Sequence, residues 1–412
     1  MRSIAVRSLI ALLTLAPMPV LGQEPRFHLP DGTIDYRLPK RVFGRGCGGP
    51  ASLPEGNAPQ PPDPSGNERA TLGRVLFHDP LLSKNRTTSC ATCHRQSLAF
   101  ADDRARSRGF DGRSTARNSM AIVDLAEHDG PFFWDGRSPS LEDMVLRPIQ
   151  DPIEMGLDLD TMLARLRSEP GYAELFRRAF GDPTIDTPRV AAALAMFVRA
   201  IASVDSRYDR GLAVTGDVRA AFPDFSDAEN RGKRLFFGQS DEQASCASCH
   251  VRRMRTCTNA GPLRPDAFGS DECTNNGLDD GRRPLDLGQG AVTKRSADAG
   301  KFRAPSLRNI ALTAPYMHDG RFATLDEVLR FYSHGVKEHP RLDVRLGGTS
   351  ADGSGWAGRR PDDGPTATTA SMTTSTIGFP LTSRDRADLI AFLETLTDHE
   401  LVHDPRFADP FR

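Results

Sequence analysis

The chain has 412 residues, with 53 Lys and Arg against 54 Asp and Glu, and its formal charge of −1 gives no basic field for nucleic acid or an anionic membrane surface. Its 31 prolines and 36 glycines predict long loops and few strands, and its length allows two ordinary domains with real cores.

Residues 1–22 read as a secretory signal peptide. Arg2 and Arg7 supply the positive end, Leu9-Ile10-Ala11-Leu12-Leu13 lies in the apolar segment, and Val20-Leu21-Gly22 suits cleavage before Gln23. That apolar run is too short to span a bilayer, and no later segment is long and apolar enough to try. The expectation is an exported protein without membrane insertion, periplasmic in a bacterium. Residues 23–65 are Pro- and Gly-rich and lack helical periodicity, so they are read as an extension wrapped on the surface. Asn67 to His78 carries Leu72, Val75 and Leu76 at helical spacing, and Asp79-Pro80 stops the helix.

Next comes Ser89-Cys90-Ala91-Thr92-Cys93-His94, and it recurs as Ser245-Cys246-Ala247-Ser248-Cys249-His250. A C-x-x-C-H run is the attachment signature of a c-type haem: two thiols reach the porphyrin vinyls, and the adjacent His lies under the iron. A thioredoxin-like pair has no need of the His, and a zinc site needs two further ligands at matching spacing. The repeat extends upstream, where Leu72-Gly73-Arg74-Val75-Leu76-Phe77 matches Arg231-Gly232-Lys233-Arg234-Leu235-Phe236. A duplicated helix-plus-motif unit predicts a mainly α fold of two tandem cytochrome c-like domains, each with one covalently bound haem c. The boundaries fall at 66–215 and 216–412.

Between the motifs, helical signals cover Leu159 to Leu166 and Gly171 to Phe180. Thr187 followed by Pro188 suits an N-cap and first-turn pair, and Val190 to Val204 is apolar enough to lie buried at the domain junction. After the second motif, Thr324 to Tyr332 is amphipathic with Leu325, Val328, Leu329 and Tyr332 inward. Residues 349–376 form a low-complexity loop, and Ser383 caps a last helix. Of the three remaining cysteines, Cys257 and Cys273 are expected to form a disulfide in an oxidising compartment. Cys47 is left over, either free or paired with one of them.

What such a chain does depends on the open side of each haem, because an iron held on both sides shuttles electrons and an open one takes a small molecule. Downstream of His94 the candidates are His128, Met120, Met144 and Met155; downstream of His250 they are Met317, His318, Tyr332 and His334. Alone, Trp134 would be a core residue, Glu154 a loop carboxylate and Tyr332 an inward-facing core tyrosine.

Several motifs together change that weighting. Ser89 to His94, Phe133-Trp134-Asp135-Gly136-Arg137, Asp151-Pro152-Ile153-Glu154-Met155-Gly156, Phe302 to Asn309 and Ala314-Pro315-Tyr316-Met317-His318-Asp319-Gly320 stand in the order of one family. From about Asn67 to Phe411 the chain resembles the bacterial di-haem cytochrome c peroxidase superfamily, and within it the MauG-like branch. The resemblance implies that His94 and His250 are the proximal ligands of a peroxide-handling and an electron-transfer haem. It makes Trp134 a relay between the porphyrins and Glu154 the acid–base residue over the first haem. It places calcium between the domains on Asn118 and the carbonyls of Thr313 and Pro315, an oxygen-only set that suits this hard cation. The peroxidases of the family carry a His sixteen residues after the first proximal His; here that position is Phe110, which implies an open first iron. Fourteen residues beyond His318 stands Tyr332, where MauG has a Tyr and the peroxidases a Met, with Met317 as the alternative ligand. One departure is Met144, where the family often has Gln.

The leading expectation is therefore a periplasmic di-haem oxidoreductase that uses hydrogen peroxide to oxidise a protein side chain, through a high-valent di-haem state. Some relatives of this type act on a metal-binding partner, and Asp404-Pro405-Arg406-Phe407 resembles theirs. The second reading is a cytochrome c peroxidase fed by a small cytochrome c or cupredoxin. The third is a non-catalytic electron-transfer cytochrome with both irons capped.

Overall fold

A computed structural model describes residues 26–27, 29, 34–36, 64–128, 130–238, 245–255, 260–270, 272–281, 286–347 and 377–411. The signal segment, Cys47, Cys257 and the low-complexity loop lie outside the described residues, so the expected Cys257–Cys273 pairing does too.

The fold is mainly helical. In order come α1 (Pro64–His78), the one-turn α2 (Cys90–Cys93), α3 (Leu141–Gln150), α4 (Leu159–Ser168), α5 (Tyr172–Phe180), α6 (Thr187–Ala200) and α7 (Arg207–Thr215). Then follow α8 (Asp227–Phe237), α9 (Ala247–His250), α10 (Gln289–Thr293), α11 (Leu325–Arg330) and α12 (Ser383–Glu394). Strand structure among the described residues is confined to two antiparallel ribbons. One pairs β1 (Val251–Arg255) with β2 (Ala260–Phe268), and the other pairs β3 (Cys273–Thr274) with β4 (Phe302–Arg303).

Two hydrophobic cores organise these helices. The first runs from Phe27 to Ile201 and takes in Leu401 and Phe407 from the end of the chain. The second runs from Tyr208 to Leu396. In the first, α1 packs against α5 and α6; in the second, α8 packs against α12. The repeated glycines explain both crossings. A Cβ on Gly73 would sit inside the Ala193 carbonyl of α6, and one on Gly232 inside the Asp388 carbonyl of α12. Each haem-motif unit thus enters through a helix whose glycine lets a second helix approach its backbone.

Some local expectations are revised. Asp186, not Thr187, caps α6, its carboxylate accepting from Arg189 N; an acidic cap one residue upstream also meets the positive helix end. Thr382 rather than Ser383 caps α12, in a capping box with Asp385. Helix α6 ends at Ala200 and fills the first core rather than the junction, leaving Val204 exposed. Of the N-terminal extension, the described Phe27 and Tyr36 are buried rather than laid on the surface, and Tyr36 meets Phe197 and Phe407 edge-on or tilted. The junction is carried instead by buried charge. Arg308 makes a two-pronged pair with Asp209 (2.7 Å each) and stands 3.6 Å from Asp124, and Arg117 joins Asp135 to Asp286.

Candidate functional site: two C-x-x-C-H motifs flanking one tryptophan

Both motifs sit on single helical turns that bring the two thiols to one side and carry the His at the end. Burial drives the thiols up, Cys90 and Cys246 to about 12 and Cys93 and Cys249 to about 11, so they are held as neutral thiols rather than reactive thiolates. The imidazoles are fixed alike. His94 donates from Nδ1 to the Phe100 carbonyl (2.9 Å), and His250 from Nδ1 to the Pro305 carbonyl (3.2 Å). Burial lowers the pKa of both rings, which keeps them neutral with Nε2 as the free donor to a metal. Among the described residues no group of three or more His, Cys, Asp or Glu side chains could hold a zinc ion. These thiols and the imidazoles held by backbone carbonyls fit a covalent haem at each motif.

Around the first motif, Glu154 lies close enough for its charge to raise both Cys90 and Cys93. Its own carboxyl is pushed up to about 7, first by burial and then by Asp151, with Arg137 opposing. The loop that carries it is stitched to Phe110. Phe110 N donates to the Glu154 carbonyl (3.0 Å), Asn85 caps the Phe110 carbonyl (2.6 Å), and Gly156 lies against the ring, with no room there for a side chain. A phenyl ring, which cannot ligate iron, therefore stands against Gly156, two residues after Glu154. His128 has protein partners at both ring nitrogens. Its Nε2 meets the Pro131 carbonyl (3.0 Å) and Arg303 (2.5 Å), and its Nδ1 meets Arg252 (2.5 Å). Met155 is buried in the first core, and Met144 packs against that core.

The second motif opens into a cavity of about 780 Å³ lined by Cys246, Cys249, His250, Trp134, Met317 and Tyr332 among others. That size falls within the range of cofactor pockets. Tyr332 lies in a π-turn (Phe331–Gly335) that continues α11, and its phenol is raised to about 12 by burial. Its oxygen accepts from Asn276 Nδ2 (3.3 Å), which also lies 3.9 Å from Met317 Sδ. Both ligand candidates thus face the same space, and the structure adds Asn276, which sequence reasoning missed. The only sequence signal for it was the turn-forming Asn275-Asn276-Gly277.

Trp134 lies between the two. Its Nε1 donates to the Asn118 carbonyl (2.9 Å), and the next residue, Ser119, reaches the Cys93 carbonyl (3.0 Å) and His94 Nδ1 (3.4 Å). On the other side Arg303 N donates to the Trp134 carbonyl (2.8 Å), two residues before the Pro305 carbonyl that holds His250. A short run of bonds therefore joins the two imidazoles through this tryptophan. His318 stacks on Phe302 (3.7 Å between centroids, 12° between planes) and meets Trp134 edge-on at 6.5 Å. Asn118, Thr313 and Pro315 are among the residues lining this cavity, and Asn118 spends its amide nitrogen on the Arg104 carbonyl (3.1 Å).

A mainly helical fold with two such motifs around a shared tryptophan defines a c-type haem oxidoreductase. Comparison narrows the class. A family model described as di-haem cytochrome c peroxidase matches residues 67–217. The methylamine utilization protein MauG of Methylorubrum extorquens is 35% identical over 350 residues, 84% of this chain and 82% of that protein. A cytochrome-c peroxidase of Denitromonas iodatirespirans is 33% identical, covering 85% and 88%. A crystal structure of a MauG-like protein associated with microbial copper homeostasis aligns with a TM-score of 0.63 at 36% identity, over 84% of this chain and 93% of that one. The diheme peroxidase BthA from Burkholderia thailandensis shares the fold, with a TM-score of 0.56 at 24% identity. The chain belongs to the di-haem cytochrome c peroxidase superfamily, in its MauG-like branch, and is a haem peroxidase-type oxidoreductase.

Proposed function

We propose that this protein is a MauG-like oxidase of the periplasm, with two cytochrome c-like domains each carrying one haem, that uses hydrogen peroxide to oxidise a side chain of a docked protein. The haems, when bound, supply the redox chemistry of peroxide reduction and the storage of oxidising equivalents. The chain's residues do the rest. Glu154, with a carboxyl near neutrality, takes a proton from the inner oxygen of peroxide and returns it to the departing one, which leaves as water. Phe110, which carries no donor atom, would supply no ligand to the first haem. Trp134, tied on both sides to the segments that hold His94 and His250, is the relay. Asn118 with the Thr313 and Pro315 carbonyls would hold calcium and fix the relay's frame. The observation that carries the oxidase reading is Tyr332, whose phenol oxygen lies in the His250 cavity. A hard oxygen donor stabilises oxidised iron better than a thioether does, which suits storage over repeated electron uptake.

The partner would be a protein substrate. The copper-homeostasis association of one similar structure makes a copper-handling protein the first to try. Sustained peroxide turnover on reduced cytochrome c or cupredoxin would favour the peroxidase reading instead, which the cytochrome-c peroxidase relatives keep in view. Electron paramagnetic resonance of the ferric, haem-loaded protein decides the site assignment. One high-spin and one low-spin signal are expected, and Tyr332→Phe should change only the low-spin one. Two low-spin signals that ignore peroxide would leave only an electron carrier.

A further inference from the structure

The cavity beside His250 presents two side chains able to complete the second iron's coordination, the thioether of Met317 and the phenol of Tyr332, and one amide stands at both. Asn276 Nδ2 is 3.3 Å from Tyr332 Oη and 3.9 Å from Met317 Sδ. The amide cannot be read in the flipped sense, because Asn276 Oδ1 accepts from Leu278 N (3.2 Å) and so turns the NH2 end toward the ligands. Nor is its loop free to drift. Asn275 Oδ1 accepts from Gly277 N (2.9 Å), the Gly277 carbonyl accepts from Lys337 N (2.9 Å), and Asp343 N donates to the Asn275 carbonyl (2.9 Å). Gly277 itself has φ +70°, and a side chain there would strike the Lys337 carbonyl and Val336. The loop that carries the amide is thus pinned to the segment leaving the π-turn of Tyr332. The turn is held from its other side, where Phe379 N donates to the Tyr332 carbonyl (2.8 Å).

From this we infer that Asn276 is the positioning residue that selects Tyr332 over Met317 as the second iron's distal ligand, an inference that rests on the tyrosine-ligation reading above. The physical basis is the inequality of the two acceptors. An N–H gives a charge-assisted hydrogen bond to a phenolate oxygen but only a weak one to a thioether sulfur. The amide therefore lowers the energy of the tyrosine-ligated arrangement relative to the methionine-ligated one. With the donor removed, the balance moves toward Met317 by on the order of tenfold or more. With the donor replaced by a carboxylate of the same shape, the phenolate is repelled and the balance moves further.

The test is spectroscopic and uses the full-length, haem-loaded protein. Asn276→Ala and the isosteric Asn276→Asp are compared with wild type and with Tyr332→Phe. Three readouts are followed: the low-spin paramagnetic resonance signal, the reduction potential of that haem, and the near-infrared sulfur-to-iron charge-transfer band. The expected result is a changed low-spin signal, a raised potential and a new sulfur band in both Asn276 variants, more complete in Asn276→Asp and abolished by adding Met317→Leu. Unchanged signal and potential in both Asn276 variants, while Tyr332→Phe does alter the signal, would overturn the inference and leave tyrosine ligation standing. No change in Tyr332→Phe would remove the tyrosine reading and this inference with it. A purely structural role for Asn276 would lower stability without producing the sulfur band, which also counts against it.

Discussion

At the scale of single residues, Glu154 is a carboxyl whose environment moves it well away from its surface norm. Its carboxyl is raised from an ordinary 4.5 to about 7, with burial as the main cause and Asp151 second. As a base toward peroxide it must be ionised. The peroxide reaction of the loaded protein should therefore speed up as pH rises through about 7 and then level off. Glu154→Gln should be slower by roughly 10²–10⁴ and flat across that range. The same group makes an opposite statement about stability. Between 4.5 and 7 the folded chain keeps a proton that the unfolded chain has released, so this residue's contribution to stability falls as pH rises through that window. The full excursion is worth at most about 3 kcal/mol, and Glu154→Gln should remove that slope from denaturant midpoints measured at pH 5 and pH 8. Neither the shift nor its cause was legible in the sequence. Asp151 and Arg137 could be named from their motifs, but the desolvation that dominates the shift depends on how the chain folds around the carboxyl.

At the scale of elements, the duplicated helix ahead of each motif was legible because its pattern repeats, and the reason for its glycine was not. Gly73 and Gly232 look dispensable in a helix, where glycine costs about 1 kcal/mol relative to alanine. The crossings reverse that sign, since the first side-chain atom would overlap a carbonyl of α6 or α12. Gly73→Ala and Gly232→Ala should each lower stability by roughly 1–3 kcal/mol or more, read as a drop in the thermal midpoint, although helix propensity alone predicts a gain. A gain in either variant would show that the helices slide apart without penalty. The caps illustrate the opposite limit. Asp186-Thr187-Pro188 contains two good cap residues in succession, and Thr382-Ser383 does the same, so propensity leaves a one-residue ambiguity that only backbone geometry resolves. Phe27 and Tyr36 were illegible for another reason. They enter the core from a segment without periodicity, and their partners Tyr172, Phe197, Phe407 and Phe411 are far away in the chain.

At the scale of the whole molecule, two cores are joined by several hydrogen bonds and ion pairs, and Trp134 carries part of that junction. The end of the chain closes back on the first core. Gln96, two residues past His94, bonds the Leu401 and Asp404 carbonyls (3.0 and 2.8 Å), and Phe407 meets Phe100, whose own carbonyl holds His94. The first imidazole is thus braced from the C-terminus, and the second from the Phe302–Pro305 segment that also bonds Trp134. The indole and its two hydrogen bonds form one bonded connection between these segments, and the proposed relay role of Trp134 can be tested on it. Trp134→Phe keeps a ring in place but loses both the oxidisable indole and the bond to the Asn118 carbonyl. Charge pairs that cross between the cores, Arg117 with Asp286 and Arg308 with Asp124, should hold the two cores in register in the variant. Thermal unfolding should accordingly change little, which separates a relay from a packing role. Peroxide added to the loaded wild-type protein should alter the spectra of both haems within one turnover. In Trp134→Phe the first should respond as before and the second at least roughly tenfold more slowly, the factor that about 1.4 kcal/mol of added barrier produces. Equal rates at the second haem in the two proteins would mean that the equivalents pass through the Ser119–Asn118 backbone or the His318–Phe302 stack, and that the tryptophan merely fills the junction.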